Sequence, residues 1–238
     1  MHRQHHRWWS PSLGRHMDLL EFGHAGARVI AFPTSMGSFH EWEDRGMTDA
    51  LRTHLENGWV QLVCVSSVDT ESWYADSHPY WRVRRHEQYD QYLLNEVLPF
   101  TWHRNPNPYL MTTGASFGAY YALDFGLRYP QWVSRIISMS GMTDVRRFCR
   151  GYHDEQVYLH NPVEFMRNEG PGWKLDAHRR QSVILAVGNG DGLVHQNREL
   201  SGILWQKGIG NALREWDGFS HDWPVWHHML NLYINGAD

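Results

Sequence analysis

Short runs of consecutive apolar residues alternate with longer stretches of helical periodicity along most of this chain. The apolar runs predict strands over Met17–Phe22, Arg28–Phe32, Trp59–Ser66, Pro108–Thr113, Val133–Met139, Ser182–Val187 and Ala212–Trp216. The periodic stretches predict helices over about Asp44–Glu56, His86–His103, Ala119–Leu127, His195–Lys207 and Pro224–Ile234. Strands that alternate with helices form parallel sheets covered on both faces. The pattern therefore predicts an α/β fold with a mostly parallel central sheet and helices on both faces.

Two stretches depart from this alternation. The segment Val68–Arg85 is rich in aromatic and charged residues, and we predict that it is a loop. Residues 144–181 are less regular and contain the breakers Asn161-Pro162 and Gly170–Gly172, which indicate a small cap-like excursion. Because the chain has 238 residues and shows neither a linker nor an internal repeat, residues 1–238 are predicted to form a single domain.

Charge and composition narrow the possible functions. The net charge of −4 and the pI near 6.5 argue against a nucleic-acid partner, and no apolar run is long enough to span a membrane. The basic N-terminus has no apolar segment behind it, so it lacks the pattern of a secretory signal, and we expect a cytoplasmic protein. The 17 histidines are scattered, and neither Cys64 nor Cys149 belongs to a CxxC pair. We therefore expect no metal site.

The run Gly114–Gly118, with the sequence GASFG, lies between a predicted strand and a predicted helix. A G-x-S-x-G run in this setting is typical of a nucleophile elbow, a sharp turn that exposes a serine hydroxyl at the carboxyl end of a sheet. Glycine suits the flanking positions because the turn leaves no room for side chains, and the helix N-terminus favours developing negative charge. We predict that Ser116 is a catalytic nucleophile.

A serine nucleophile needs a general base, which is usually a histidine oriented by a carboxylate. Hydrolases built on this kind of sheet supply the three residues in the chain order serine, acid, histidine. Here Asp191 follows the predicted strand Ser182–Val187, and His221 follows the last predicted strand, so both are expected to meet Ser116 at one edge of the sheet. Asp144 follows an earlier strand and is the main alternative to Asp191.

The oxyanion of an acyl-transfer transition state needs two fixed hydrogen-bond donors. The first is predicted to be the backbone amide of Phe117, the residue after the nucleophile. The second is expected from the loop after the strand Arg28–Phe32, where we favour the amide of Ser35, with Met36 as the next candidate.

These motifs resemble those of the α/β-hydrolase esterases, in particular the putative-esterase group that includes esterase D (S-formylglutathione hydrolase), feruloyl esterase and mycolyltransferase-like proteins. The resemblance covers about Ser10 to Leu232. The segments that carry it are Pro33–Gly37, Gly114–Gly118, Asn161-Pro162, Gly188–Asp191 and His221–Pro224.

The resemblance implies an α/β-hydrolase fold in which Ser116, Asp191 and His221 form the triad. It also implies Phe117 and either Ser35 or Met36 as oxyanion donors, without a cofactor. One departure concerns the second donor: many hydrolases carry His-Gly at the oxyanion loop, where this chain has Pro33-Thr34.

Together, these features predict a serine hydrolase that cleaves a small-molecule carboxylic ester through an acyl-enzyme. A thioesterase, a peptidase or an acyltransferase would use the same triad, because specificity is set by the pocket around it. A protein of a different class, which binds a ligand or partner on the same fold without catalysis, is the other alternative. The oligomeric state is not predicted.

Overall fold

The computed structural model of the protein describes residues 1–235, and residues 236–238 of the predicted domain lie outside that range. One eight-stranded sheet has the strand order β1-β2-β4-β3-β5-β6-β7-β8. Its strands are β1 Arg3–Ser10, β2 Arg15–Phe22, β3 Ala27–Phe32, β4 Val60–Val65, β5 Leu110–Ala115, β6 Arg135–Met139, β7 Ser182–Gly188 and β8 Asn211–Trp216. The six strands β3 to β8 run parallel to one another, whereas β1 and β2 form an antiparallel ribbon at one edge.

The first strand was not expected from the sequence. Strand β1 carries RQHHRWWS, and alternate residues are exposed along its length. An edge strand that faces solvent does not need the continuous apolar run that marks a buried parallel strand. Because β1 is mostly polar, a prediction based on apolar runs does not detect it.

The helical segments fill most of the connections between strands. They are α1 Glu41–Asp44, α2 Met47–Ala50, α3 Arg52–Glu56, α4 Pro79–Tyr92, α5 Leu98–Arg104, α6 Phe117–Arg128, α7 Arg146–Cys149, α8 Glu155–Leu159, α9 Pro162–Asn168, α10 Trp173–His178, α11 Val194–Gln206 and α12 Trp223–Tyr233. A π-helical segment, Leu93–Val97, joins α4 to α5. Within residues 1–235, no helix is long and apolar enough to cross a membrane.

Two of the predicted element boundaries were wrong. The predicted helix Asp44–Glu56 is three short helices, and Gly46, with φ of 75°, separates the first two. The predicted loop Val68–Arg85 ends early, because helix α4 begins at Pro79. Proline suits the first turn of a helix, where its missing N–H has no acceptor to lose, and the side chain of His78 accepts a hydrogen bond from the amide of Tyr80.

The sheet separates two hydrophobic layers, and consecutive strand residues alternate between them. In β3, Ile30 belongs to the layer covered by α4, α6, α9 and α11, whereas Val29 belongs to the layer covered by α1–α3 and α12. The same alternation places Leu185 and Ile184 of β7 in opposite layers. A strand with a period of two can be apolar throughout only if both of its faces are buried. Helices therefore cover both faces, as the sequence pattern predicted.

The irregular segment 144–181 contains the four helices α7 to α10. Its buried apolar side chains, among them Val157, Val163 and Met166, join the same hydrophobic layer as α6 and α11. The segment therefore packs directly on the core. Its first helix, α7, lies near the carboxyl end of the sheet and contributes to the site described below.

Candidate active site

Ser116 occupies a sharp turn between strand β5 and helix α6. Its backbone has φ of 55° and ψ of −117°, a conformation that L-residues rarely adopt. The amide of Ser116 donates a 2.9 Å hydrogen bond to the carbonyl of Met139 on the neighbouring strand. This bond holds the strained residue against β6, so that its side chain stands at the carboxyl end of the sheet.

Both glycines of the turn are required by close backbone contacts. A Cβ atom on Gly114 would lie 2.2 Å from the carbonyl carbon of Gly118, and one on Gly118 would lie 2.5 Å from the carbonyl oxygen of Phe32. Both distances are far below a van der Waals contact. The motif therefore has a steric cause, because strand β5, helix α6 and strand β3 meet too closely for side chains.

The ring of His221 lies in contact with both the hydroxyl of Ser116 and the carboxylate of Asp191. Ser116 Oγ is 3.1 Å from His221 Nε2, and His221 Nδ1 is 2.7 Å from Asp191 Oδ2. The second carboxylate oxygen of Asp191 accepts a 2.9 Å hydrogen bond from the amide of Leu193. Asp191 is only 4% exposed, whereas His221 is partly exposed. The buried acid is therefore oriented on both sides, and the ring that it holds faces the serine.

The loops that carry the acid and the histidine are paired with each other. The amide of Gly190 donates to the carbonyl of Gly218 at 2.8 Å, and the amide of Gly218 donates to the side chain of Asn189 at 3.0 Å. The ring of His221 also packs against Trp226, with 5.2 Å between ring centroids. These contacts set the separation of the two loops before any substrate binds.

The alternative acid, Asp144, is engaged elsewhere. Its Oδ2 accepts a 2.8 Å hydrogen bond from Arg146 Nε, and its Oδ1 accepts one from the side chain of Asn161 at 3.2 Å. Asp144 thus fastens the beginning of the segment 144–181, and it makes no contact with His221 within the described residues.

The predicted oxyanion donors lie on two sides of the serine. The amide of Phe117 is the first of helix α6, and neither it nor the amide of Ser35 has a hydrogen-bond acceptor among residues 1–235. The amide of Met36, by contrast, donates to Asp69 Oδ2 at 2.5 Å. The N–H of Met36 is therefore bonded to a buried carboxylate, whereas the amide of Ser35, among the residues that the structure describes, is free to serve as the second predicted donor.

Two carboxylates that the sequence did not single out hold the loop that carries Ser35. Glu41 accepts hydrogen bonds from the amide of Thr34 at 2.7 Å and from its hydroxyl at 2.8 Å. Asp69 is fully buried and also accepts from the hydroxyl of Ser67, and burial raises the pKa of its carboxyl against the effect of these hydrogen bonds. Asp69 follows strand β4 at the carboxyl edge of the sheet, and that position is the one sequence signal that pointed to it.

A cavity of about 230 Å³ opens over the serine. Its lining combines polar and apolar side chains and consists of Ser35, Tyr74, Ser116, Phe117, Met142, Arg147, Leu193 and His221. The hydroxyl of Tyr74 lies 2.8 Å from Ser35 Oγ, which gives the Ser35 side chain a partner other than the reacting centre. The cavity has room for a small group next to Ser116.

A second cluster of titratable groups lies away from this cavity. His86 Nε2 and His160 Nδ1 lie 2.9 Å and 2.8 Å from the same oxygen of Asp124, and all three residues are buried. These are metal-ligand residue types, but Arg128 Nη1 lies 2.9 Å from a ring nitrogen of His160, and Glu87 is 2.8 Å from its Nε2. We therefore interpret the cluster as a buried network of hydrogen bonds and ion pairs that joins α4 and α6 to His160, the residue after α8.

The parallel sheet and the strained serine at a strand-to-helix turn define the class of protein as an α/β hydrolase. A ferulic acid esterase is similar over 98% of this chain and 96% of that chain, with a TM-score of 0.79 and 18% identity. An S-formylglutathione hydrolase from Agrobacterium tumefaciens is similar over 98% of this chain and 93% of that chain, with a TM-score of 0.77 and 12% identity. MPT51 of Mycobacterium tuberculosis is similar over 100% of this chain and 98% of that chain, with a TM-score of 0.70 and 16% identity. At these identities the likeness shows the shared fold.

The chain belongs to the family described as Putative esterase, whose model matches residues 41–233. This match confirms the resemblance to the putative-esterase group that the sequence motifs indicated. An "Acetyl esterase" of Caldicellulosiruptor saccharolyticus is 26% identical over 173 residues, which is 64% of this chain. The match spans 63% of that relative's own length.

Proposed function

We propose that the protein hydrolyses carboxylic esters of small molecules, with Ser116 as nucleophile, His221 as general base and acid, and Asp191 as the residue that orients the imidazole. The continuous contact from Ser116 Oγ through the ring of His221 to Asp191, with distances of 3.1 Å and 2.7 Å, carries the proposal. A hydroxyl becomes a nucleophile when an oriented base accepts its proton, and this arrangement supplies that base.

In the first half of the reaction, Ser116 Oγ attacks the ester carbonyl while His221 Nε2 takes the hydroxyl proton. The carbonyl oxygen becomes negative and accepts hydrogen bonds from the amides of Phe117 and Ser35, which have no other acceptor in the described part of the chain. The C–O bond to the leaving alcohol breaks, and His221 returns the proton to that alcohol. An acyl-enzyme on Ser116 remains.

In the second half, a water molecule replaces the alcohol. His221 removes a proton from the water, the hydroxide attacks the acyl carbon, and the proton is returned to Ser116 Oγ as the acid leaves. The carboxylate of Asp191 stabilises the imidazolium that forms in each half, and its burial makes that interaction stronger than it would be in water.

The cavity supports a short acyl group. Its volume of about 230 Å³ and its apolar wall, which includes Phe117, Met142 and Leu193, suit a small acyl chain better than a long one. The similarity to an acetyl esterase agrees with this proposal. The net charge of −4 agrees with a small-molecule substrate without nucleic acid. The cytoplasmic location inferred from the N-terminus stays a prediction.

The proposal is tested by replacing the nucleophile and the base. We expect Ser116→Ala and His221→Gln each to lower kcat for a 4-nitrophenyl acyl ester by at least about 10³-fold, because each removes a group that acts in the transition state. A fluorophosphonate probe is expected to label the wild type and not Ser116→Ala.

The control is His228→Gln, which changes an exposed histidine of helix α12. It is expected to leave kcat within about twofold, since single surface substitutions away from the site have small effects. Circular dichroism and a thermal melt check that each variant folds. Retention of most of the activity by folded Ser116→Ala would refute the proposed mechanism.

A further inference from the structure

The candidate cavity has a charged side chain in its wall that the proposed reaction does not use. Arg147 lies on α7, at the start of the segment 144–181, and lines the cavity together with Tyr74 and Leu193. Its guanidinium carbon is 4.8 Å from the centroid of the Phe148 ring. This cation–π contact supports the side chain while leaving its N–H groups unused.

Arg147 has no acidic partner of its own. Within residues 1–235 it forms no ion pair with a carboxylate, and its guanidinium donates no hydrogen bond to the protein. Its neighbour Arg146 differs: it binds the carboxylate of Asp144 through Nε at 2.8 Å and also through Nη2. Two consecutive arginines on one short helix are therefore in opposite states, the first neutralised and the second not.

The acids near the cavity do not neutralise Arg147. Asp191 is 4% exposed, and its two oxygens are bound to His221 and to the amide of Leu193. Asp69 is fully buried behind the oxyanion loop, where its oxygens are bound to the amide of Met36 and the hydroxyl of Ser67. The exposed, positively charged side chain of Arg147 thus lines a small cavity whose other walls include the apolar side chains of Phe117, Met142 and Leu193.

We propose that Arg147 binds an anionic group of the substrate, so that the preferred esters carry a carboxylate close to the bond that is cleaved. The planar guanidinium offers several N–H donors in a geometry that matches a carboxylate. Because Ser116 and Arg147 line the same cavity of about 230 Å³, a short linker suffices between the ester carbonyl and the anionic group. This inference rests on the proposed function and adds the substrate class to it.

The anionic group has two possible places in the substrate, the acyl side and the alcohol side of the ester. The acyl side is tested with the mono-4-nitrophenyl ester of glutaric acid and the same compound with its carboxylate methylated. The alcohol side is tested with 4-acetoxybenzoate and its methyl ester. In each pair, methylation removes the charge and nearly preserves the shape, so the ratio of kcat/KM values within a pair reports the effect of the charge.

For at least one pair, we expect wild-type enzyme to prefer the anionic ester, and Arg147→Gln to lower the anionic-to-neutral ratio by about tenfold, since hydrogen bonds to charged groups are the stronger ones. Arg147→Lys, which keeps the charge without the planar fork, is expected to fall between the two. The pair that responds identifies the side of the ester that carries the charge. Raising the salt concentration is expected to lower the ratio in the wild type.

The matched control is Arg146→Gln, which removes an adjacent charge that Asp144 already neutralises. It is expected to leave the ratios of both pairs unchanged. Ratios that are the same in Arg147→Gln and the wild type, or that fall equally in Arg146→Gln, would overturn the role of Arg147 while leaving ester hydrolysis by Ser116 intact.

A binding measurement tests the role of Arg147 independently of ester hydrolysis. In the Ser116→Ala variant, quenching of tryptophan fluorescence reports binding of each ester without turnover. The anionic member of the responding pair is expected to bind more tightly than its methyl ester, by about the same factor as the ratio of kcat/KM values. Adding Arg147→Gln is expected to remove that difference, and equal binding of both members by Ser116→Ala would refute the proposal.

Discussion

Asp69 holds the loop that carries the proposed oxyanion donor. Its carboxylate takes the amide of Met36 at 2.5 Å, and the next amide back along the chain is that of Ser35, the proposed oxyanion donor. Met36 itself has φ of 59°, which is unfavourable for a residue other than glycine, so contacts such as this one must stabilise the loop. Donors of this kind act only if they are aimed before the charge develops.

We expect Asp69→Ala to lower kcat by about tenfold with little change in KM, because a misaimed oxyanion donor weakens transition-state binding more than substrate binding. Asp69→Asn keeps an oxygen that accepts from the Met36 amide, and it is expected to restore most of kcat. Steady-state kinetics on a 4-nitrophenyl ester measure both quantities.

The control for this prediction is Asp76→Ala, an exposed acid in the loop that leads to α4. It is expected to behave as the wild type. A kcat for folded Asp69→Ala within about twofold of the wild type would show that the loop does not need this carboxylate, since surface substitutions alone produce changes of that size.

At the scale of the elements, the elbow is a place where a strand, a turn and a helix approach within backbone contact. Gly118 lies on α6 with its α-carbon directly against β3, and a Cβ there would lie 2.5 Å from a carbonyl oxygen. A Cβ atom placed on Gly202, inside α11, would have no other atom within 4 Å. A methyl group is therefore excluded at Gly118, whereas free space is available for one at Gly202.

We expect Gly118→Ala to lower the free energy of unfolding by about 1–3 kcal/mol, the usual cost of overpacking, and to reduce kcat through a displaced serine. Gly202→Ala is expected to raise the free energy of unfolding by about 0.5–1 kcal/mol, because alanine is the better helix former where space is free. Urea unfolding of both variants measures the difference, and equal effects would contradict the steric explanation.

How well the elements were predicted depends on where they lie in the sheet. Strands such as β3 and β4 were recognised to within two residues, because a strand buried on both faces consists mostly of apolar residues. Strand β1 and the first turns of α4 were missed, since an exposed edge strand and an aromatic, charged helix start lack that signal. Local pattern therefore found the core elements, and only the structure showed the peripheral ones.

At the scale of the whole molecule, one sheet runs from β1 to β8 and both hydrophobic layers extend along it. We propose on this basis that the described residues, 1–235, belong to one domain, as predicted from the sequence for residues 1–238. The buried network of His86, Asp124 and His160 joins α4 and α6 to the segment 144–181. Its charges make the stability of the whole chain depend on pH.

Burial lowers the pKa of His86 to about 4, from an ordinary value of 6.5. Between these two values the unfolded chain binds a proton at this histidine and the folded chain does not, so the free energy of unfolding falls as the pH falls through this range. The contribution of His86 is present above about pH 6.5 and amounts to about 3 kcal/mol at most.

We therefore expect the plot of unfolding free energy against pH to be flatter in His86→Gln than in the wild type between about pH 4 and pH 6.5, with a single transition in both. His228→Gln, which removes an exposed histidine, is expected to keep the wild-type slope. Urea titrations at several pH values provide the comparison. An unchanged slope in His86→Gln would mean that folding does not lower the pKa of this ring.

The sequence by itself determined the strand-to-helix setting of Ser116, the order of serine, acid and histidine, and the layered α/β architecture, because each of these depends on local pattern or on chain order. Tertiary structure decided which amide of the oxyanion loop is free, since Asp69 comes from another strand end and takes the amide of Met36. It also decided that Arg147 faces the cavity while Arg146 is neutralised. Contacts between distant segments are set by packing, and no local pattern of residues encodes them.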